Sequence, residues 1–198
     1  MTARIVVLIS GEGTNLQSLL DRGEELGGTI TRVISDRPDV GGLKRADRAN
    51  IPTGIVAYGN YPDRETWQKA LEDKVAAEEP DLVVLAGFMR ILPGSFVSRW
   101  PVLNVHPSLL PAFPGAHAVE DALAWGVMVT GCTVHFVDEE VDHGPVVAQV
   151  AVVVRPGDTP ETLHTRIKKV EHRLLPDCVT LFCQGQITVD GRHVRISQ

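Results

Sequence analysis

Arg4-Ile5-Val6-Val7-Leu8-Ile9-Ser10, followed at once by Gly11-Glu12-Gly13-Thr14-Asn15 and Leu16-Gln17-Ser18-Leu19-Leu20, is the stretch from which the fold can be read. Its first seven residues form a nearly unbroken apolar run rich in β-branched side chains, the mark of a strand covered on both faces in a parallel sheet. The apolar residues after the glycines recur at helical spacing, so the segment reads as strand, glycine loop and helix. Such a loop sets free backbone N–H groups at a helix N-terminus, where a phosphate can bind; a plain tight turn is the competing reading. The dinucleotide fingerprint fails because Leu16 stands where the third glycine belongs, and the P-loop pattern fails because no Gly-Lys-Ser/Thr follows. A single phosphate group is the ligand that fits best, and Glu12 then has to turn its carboxylate outward.

The pattern repeats along the chain. Thr29 to Ser35 reads as a second strand, closed by the turn residues Asp36-Arg37-Pro38-Asp39. A helix is expected over Gly41 to Asn50, a short strand around Gly54 to Val56, and a helix over Arg64 to Glu79 with Asp63 as its N-cap. Leu82 to Ala86 is a fourth buried strand, and Pro93 to Trp100 a short helix. Ala118 to Trp125 is a further helix, stopped by Gly126. Val129 to Val137 and Val146 to Val154 are joined by too few residues for a crossover helix, so this pair should be antiparallel. Pro160 to Cys183 is a long amphipathic helix or a pair kinked at Pro176. Ile187 to Ile196 closes as a hairpin turning at Asp190-Gly191. Strand and helix alternating in this way predict one α/β domain over residues 1–198, doubly wound around a mostly parallel, Rossmann-like sheet, with the antiparallel pair in its C-terminal half.

Length and composition agree with a globular protein. The 198 residues are 43% hydrophobic and 22% charged, ordinary values for one packed domain. A net charge of -6 without a basic stripe argues against a nucleic-acid partner. The run Ile5 to Ile9 is too short to cross a membrane and lacks a cleavage region, so no membrane partner is expected. Cys132, Cys178 and Cys183 have neither zinc spacing nor an even count, which points to the reducing cytoplasm and to no metal.

Chemistry concentrates in Asn104-Val105-His106-Pro107-Ser108-Leu109-Leu110-Pro111. One residue separates Asn104 from His106, so on an extended backbone an amide and an imidazole point to the same side. The prolines that follow exclude a helix and stiffen the loop. Such a pair can polarise a carbonyl and stabilise the oxyanion of an acyl transfer, although a hydrogen-bonded structural histidine is the commoner use of such a position. No nucleophile elbow is present and Ser108 has no base assigned to it, which leaves the nucleophile to a substrate. Met89 to Leu92 leaves the carboxyl end of a strand, where α/β sheets bind ligands, and reads as an apolar pocket wall or as a connecting loop. Asp142 lies in an acidic turn that could be a solvated tip, but His143-Gly144-Pro145 turns the backbone directly after it and can fold its carboxylate inward.

Four motifs, Ile-Ser-Gly-Glu-Gly-Thr-Asn-Leu-Gln, Leu-Ala-Gly-Phe-Met-Arg-Ile-Leu, Asn-Val-His-Pro-Ser-Leu-Leu-Pro and Val-His-Phe-Val-Asp-Glu-Glu-Val-Asp-His-Gly-Pro, occur in an order and at separations that resemble the phosphoribosylglycinamide formyltransferases of purine biosynthesis. The resemblance covers nearly the whole chain. It implies that 10-formyltetrahydrofolate, as co-substrate, gives its formyl group to the amine of phosphoribosylglycinamide without ATP or metal. It makes Asn104, His106 and Asp142 the catalytic trio, with His106 protonated beside the carboxylate. It assigns Gly13, Thr14 and Asn15 to the substrate phosphate, Pro107 to the glycinamide and Glu171 to the ribose. Met89, Arg90, Ile91 and Leu92 would enclose the pterin of the reduced folate together with Asn104 and the turn Phe136, Val137, Asp138, Glu139, Glu140, Val141 and Asp142. Arg64 would meet the folate tail, and His117 and His135 would play supporting parts. A homodimer is the one protein assembly left open. The rivals are a formyltransferase for another amine, a hydrolase of the same folate, and a phosphate-binding module without catalysis.

Overall fold

A computed structural model describes residues 2–197. Among the described residues nine strands and six α-helices follow one another as β1 (Ala3–Ile9), α1 (Thr14–Leu20), β2 (Gly28–Ser35), α2 (Gly41–Arg48), β3 (Thr53–Ile55), α3 (Arg64–Ala76), β4 (Leu82–Leu85), α4 (Gly94–Arg99), β5 (Val102–His106), α5 (Ala118–Trp125), β6 (Val129–Phe136), β7 (Val146–Val153), α6 (Pro160–Cys183), β8 (Ile187–Asp190) and β9 (His193–Ile196). The main sheet runs β3-β2-β1-β4-β5-β6-β7. Its first five members are parallel, whereas β6 is antiparallel to both β5 and β7. The expected α/β class holds, and the antiparallel part extends to a second junction, β5 with β6.

Burial on both faces explains the apolar runs. Ile5, Val7 and Ile9 of β1 face a core completed by α1, α2 and α6, while Val6 and Leu8 face a second core built from α3 and α4. Trp67 and Phe96 are the largest side chains fully buried there. Alternate residues of one strand therefore serve two hydrophobic layers, which is why β1 shows no polar alternation. Asp63 caps α3 as expected, accepting a hydrogen bond from the Thr66 N–H at 2.7 Å.

Two details differ from or sharpen the reading of the sequence. Pro176 does not split its segment; α6 is a single helix of 24 residues. Its buried stripe, Leu163, Ile167, Glu171, Leu175 and Val179, packs along the sheet, and that packing outweighs the roughly 3 kcal/mol cost of an internal proline. In the terminal hairpin Asp190 pairs with His193, so the two-residue loop is Gly191-Arg192, one position later than expected. Gly191 has a φ of 58°, which places glycine at the first loop position of the hairpin turn. No described helix is long and apolar enough to cross a membrane.

Candidate active site

Strand β5 carries Asn104 and His106 to the carboxyl edge of the sheet on one side, as their spacing requires. Opposite Asn104 in the antiparallel register stands His135 of β6. Directly paired residues project to the same face, so the register sets these side chains beside each other. The Asn104 amide donates to His135 Nε2 at 3.2 Å, and His135 Nδ1–H donates to the Phe136 carbonyl at 2.9 Å. Asn104 engages one amide N–H in this contact. The second Asn104 N–H is left for another acceptor.

Asp142 meets both histidines. Its Oδ2 lies 3.3 Å from His106 Nδ1 and accepts the Gly115 N–H at 2.7 Å, and its Oδ1 lies 3.6 Å from His135 Nε2. The inward fold of the turn depends on a φ of 53° at Asp142, a left-handed conformation that Asp tolerates better than most residues. Burial raises the Asp142 pKa, but the His135 side chain beside it, the Gly115 N–H and the His106 imidazole outweigh that and hold the carboxyl below its ordinary range. Asp142 is ionised.

His106 Nε2 lies 2.8 Å from the Phe113 carbonyl, so both of its ring nitrogens face oxygen acceptors. Only the imidazolium supplies two N–H donors to match. Burial acts the other way and prevails, pushing the imidazole below its ordinary value although the Asp142 charge and the Phe113 carbonyl pull it back. The expectation that the carboxylate would hold His106 charged is corrected to this extent: its proton is well placed and held less tightly than that of a free histidine.

The glycine loop lies at the carboxyl end of β1, on the same edge of the sheet and two strands from β5. Gly13 caps α1 with a φ of 70°, and a Cβ there would stand 2.5 Å from Gly42 Cα, so the loop and the start of α2 require two glycines in contact. Thr14 opens α1. Asn15 Nδ2 donates to Glu171 Oε2 at 3.1 Å, and both residues are buried. Burial pushes the Glu171 carboxyl up. Glu12 is exposed, its carboxylate leaning over Gly41 at the first turn of α2, where the helix dipole favours an anion.

On the other side, Met89 and Ile91 are 64% and 55% exposed, while Leu92 is buried. The Arg90 guanidinium turns away from them to Asp36 and Tyr58. Arg64 is exposed and donates to the Ile91 carbonyl at 3.3 Å. Pro107 is half-buried after His106. In the acidic turn Phe136, Val137 and Asp138 are half-buried and Glu139, Glu140 and Val141 exposed. Asp138 receives His143 Nδ1 at 2.8 Å. His117 is exposed at the start of α5, and His143 is exposed beside Arg192. Among the described residues no cluster of His, Cys, Asp or Glu could hold a metal ion.

Gly144 sets how tightly this turn can close. A Cβ at Gly144 would lie 1.9 Å from the Phe136 carbonyl oxygen. Gly144→Ala is therefore expected to displace the Asp142 turn and lower the melting temperature by several degrees, an overpacking cost of about 1–3 kcal/mol. An unchanged melting curve would show that the turn yields freely.

The chain matches the family described as formyl transferase over residues 3–179. It is 49% identical to phosphoribosylglycinamide formyltransferase from Mycobacterium tuberculosis (strain CDC 1551 / Oshkosh), covering 96% of this chain and 89% of that one. It is 46% identical to the trifunctional purine biosynthetic protein adenosine-3 of Bos taurus; the alignment takes in 98% of this chain but spans only about a fifth (20%) of that protein's length. The crystal structure of glycinamide ribonucleotide transformylase 1 from Symbiobacterium toebii superposes with a TM-score of 0.96 at 48% identity, covering 100% of this chain and 95% of that one. The chain belongs to the formyl transferase family, among its phosphoribosylglycinamide formyltransferases.

Proposed function

We propose that this chain transfers the formyl group of 10-formyltetrahydrofolate to the amine of 5-phosphoribosylglycinamide, a step of de novo purine biosynthesis. The observation that carries the reading is the meeting of Asp142 with His106 and of His135 with Asn104, on the sheet edge where the glycine loop after β1 and the exposed apolar segment after β4 also lie. The substrate phosphate sits on the backbone N–H groups of Gly13, Thr14 and Asn15, its ribose hydroxyls on Glu171, and its glycinamide against Pro107. The pterin lies between Met89–Leu92 and the turn from Phe136 to Asp142, with the folate tail towards Arg64.

The chemistry follows from those positions. The amine attacks the formyl carbon and forms a C–N bond, and the carbonyl oxygen takes up negative charge. The free Asn104 N–H stabilises that charge as a preorganised donor does in a buried site, and His106 joins it by turning its Nε2–H from the Phe113 carbonyl to the oxyanion. Asp142 orients His106 and takes the proton lost by the attacking nitrogen through water. Collapse breaks the bond to the folate nitrogen, which is protonated as it leaves. The test is to follow the absorbance of the deformylated folate with and without phosphoribosylglycinamide. Turnover that needs the amine supports the reading; turnover without it indicates a hydrolase, and none in either case a binding module.

Glu171 supplies a separate prediction. Its folded pKa is raised, so the protein pays a desolvation cost that is absent below the unfolded value of about 4.3 and grows as the pH rises above it. Glu171→Gln is expected to raise the melting temperature at pH 7 and to leave it unchanged near pH 4. It should also raise KM for phosphoribosylglycinamide about tenfold, the loss of one charged hydrogen bond. Melting curves at both pH values and initial rates check the two halves independently.

A further inference from the structure

The segment from Phe88 to Leu92 alternates. Phe88 is buried and stacks on Trp67 at 6.5 Å between ring centroids, and Leu92 is buried in the same core. Met89 and Ile91, between them, stand out from the surface. Arg90, the middle inward position, cannot enter a hydrophobic core. Its Nε instead donates to Asp36 Oδ2 at 2.7 Å, and its guanidinium lies 4.7 Å above the Tyr58 ring. The Asp36 side chain is fully buried at the end of β2, and its Oδ1 has no partner. A carboxylate so placed costs desolvation that one ion pair repays only in part, which makes it a poor device for stability alone.

The remaining attachments serve the same segment. Ser10, after β1, donates its N–H to the Gly87 carbonyl at 3.1 Å and accepts the Met89 N–H at 2.8 Å. These bonds tie the backbone on either side of Phe88. From Arg90 onward the inward side chains are Arg90 and Leu92, and Arg90 reaches the frame through a directional polar contact. Removing that contact frees the peptide groups between the two exposed apolar residues without emptying a core.

We infer that Asp36 is a positioning residue for the folate: through Arg90 it sets the backbone and the outward pose of Met89 and Ile91, and so governs the affinity of the pterin rather than the rate of transfer. The inference rests on the proposed reading of 89–92 as the folate wall. Asp36 and Arg90 touch neither reacting group.

The experiment measures kcat and both KM values for D36A, D36N and the double variant D36A/R90A. D36A is expected to raise KM for 10-formyltetrahydrofolate about tenfold or more, with kcat and KM for phosphoribosylglycinamide within about twofold of wild type, because a lost charged hydrogen bond of this kind is worth about that factor. D36N, whose amide oxygen still accepts from Arg90, should recover most of the affinity. D36A/R90A should bind folate no worse than D36A, since the two residues act as one unit. An unchanged folate KM in D36A, or equal rises in both KM values in D36A and D36N, would overturn the inference. Failure of the underlying reading shows separately, as a wild-type protein without folate turnover.

Discussion

Asp142→Asn is expected to lower kcat by at least about 100-fold while both KM values stay within about threefold of wild type. The substitution changes charge and little else. Asn tolerates the φ of 53° at this position nearly as well as Asp does, so the turn closes. The amide oxygen can still accept the Gly115 N–H. What disappears is the anion facing His106 at 3.3 Å and the acceptor for the proton of the attacking amine. The pH dependence adds a second readout. The Asp142 pKa lies below its ordinary range, so the carboxylate stays ionised from pH 4 upward and should give the wild-type rate no acid limb in that range, while the variant should stay slow throughout it. Stopped assays from pH 4 to 9 provide the check; wild-type turnover in the variant would remove Asp142 from the mechanism.

The contrast between Glu171 and His135 shows what a sequence carries and what it withholds. Glu171 falls four residues after Ile167 and four before Leu175, within the stripe that buries α6. Helical spacing sets it in line with those apolar residues, but a solvated face reads as well from the sequence, so its part in the site is implied by the resemblance and its burial is seen only in the fold. His135 has no such signal. Its contact with Asn104 follows from the register of β5 against β6, a pairing between residues 31 positions apart that no local pattern specifies. Asp36 was legible as a turn residue after β2, but its partner Arg90 lies 54 residues away on another strand end. The parallel strands β1 and β4 were legible because burial on both faces writes itself into their unbroken apolar runs. The side-chain meetings that make the site are properties of the assembled sheet edge.

His106→Ala should also cost at least about 100-fold in kcat. The informative experiment is the double variant H106A/D142N. If Asp142 takes the amine's proton only in concert with the His106 ring that it orients, the carboxylate has little left to do once the imidazole is gone, and the double variant should be no slower than the slower single variant within about threefold. If Asp142 instead collects the amine's proton without help, the losses should multiply towards about 10,000-fold. The geometry favours the first outcome. Oδ2 faces Nδ1, while Nε2 is held to the Phe113 carbonyl, so the ring is fixed from both ends and the carboxylate is one of its two supports. Asn104 and the bound substrates would supply the residual rate in all three proteins, because its amide is oriented by His135 and not by His106. A multiplicative loss would transfer the role of base to Asp142 alone and reduce His106 to a donor for the oxyanion.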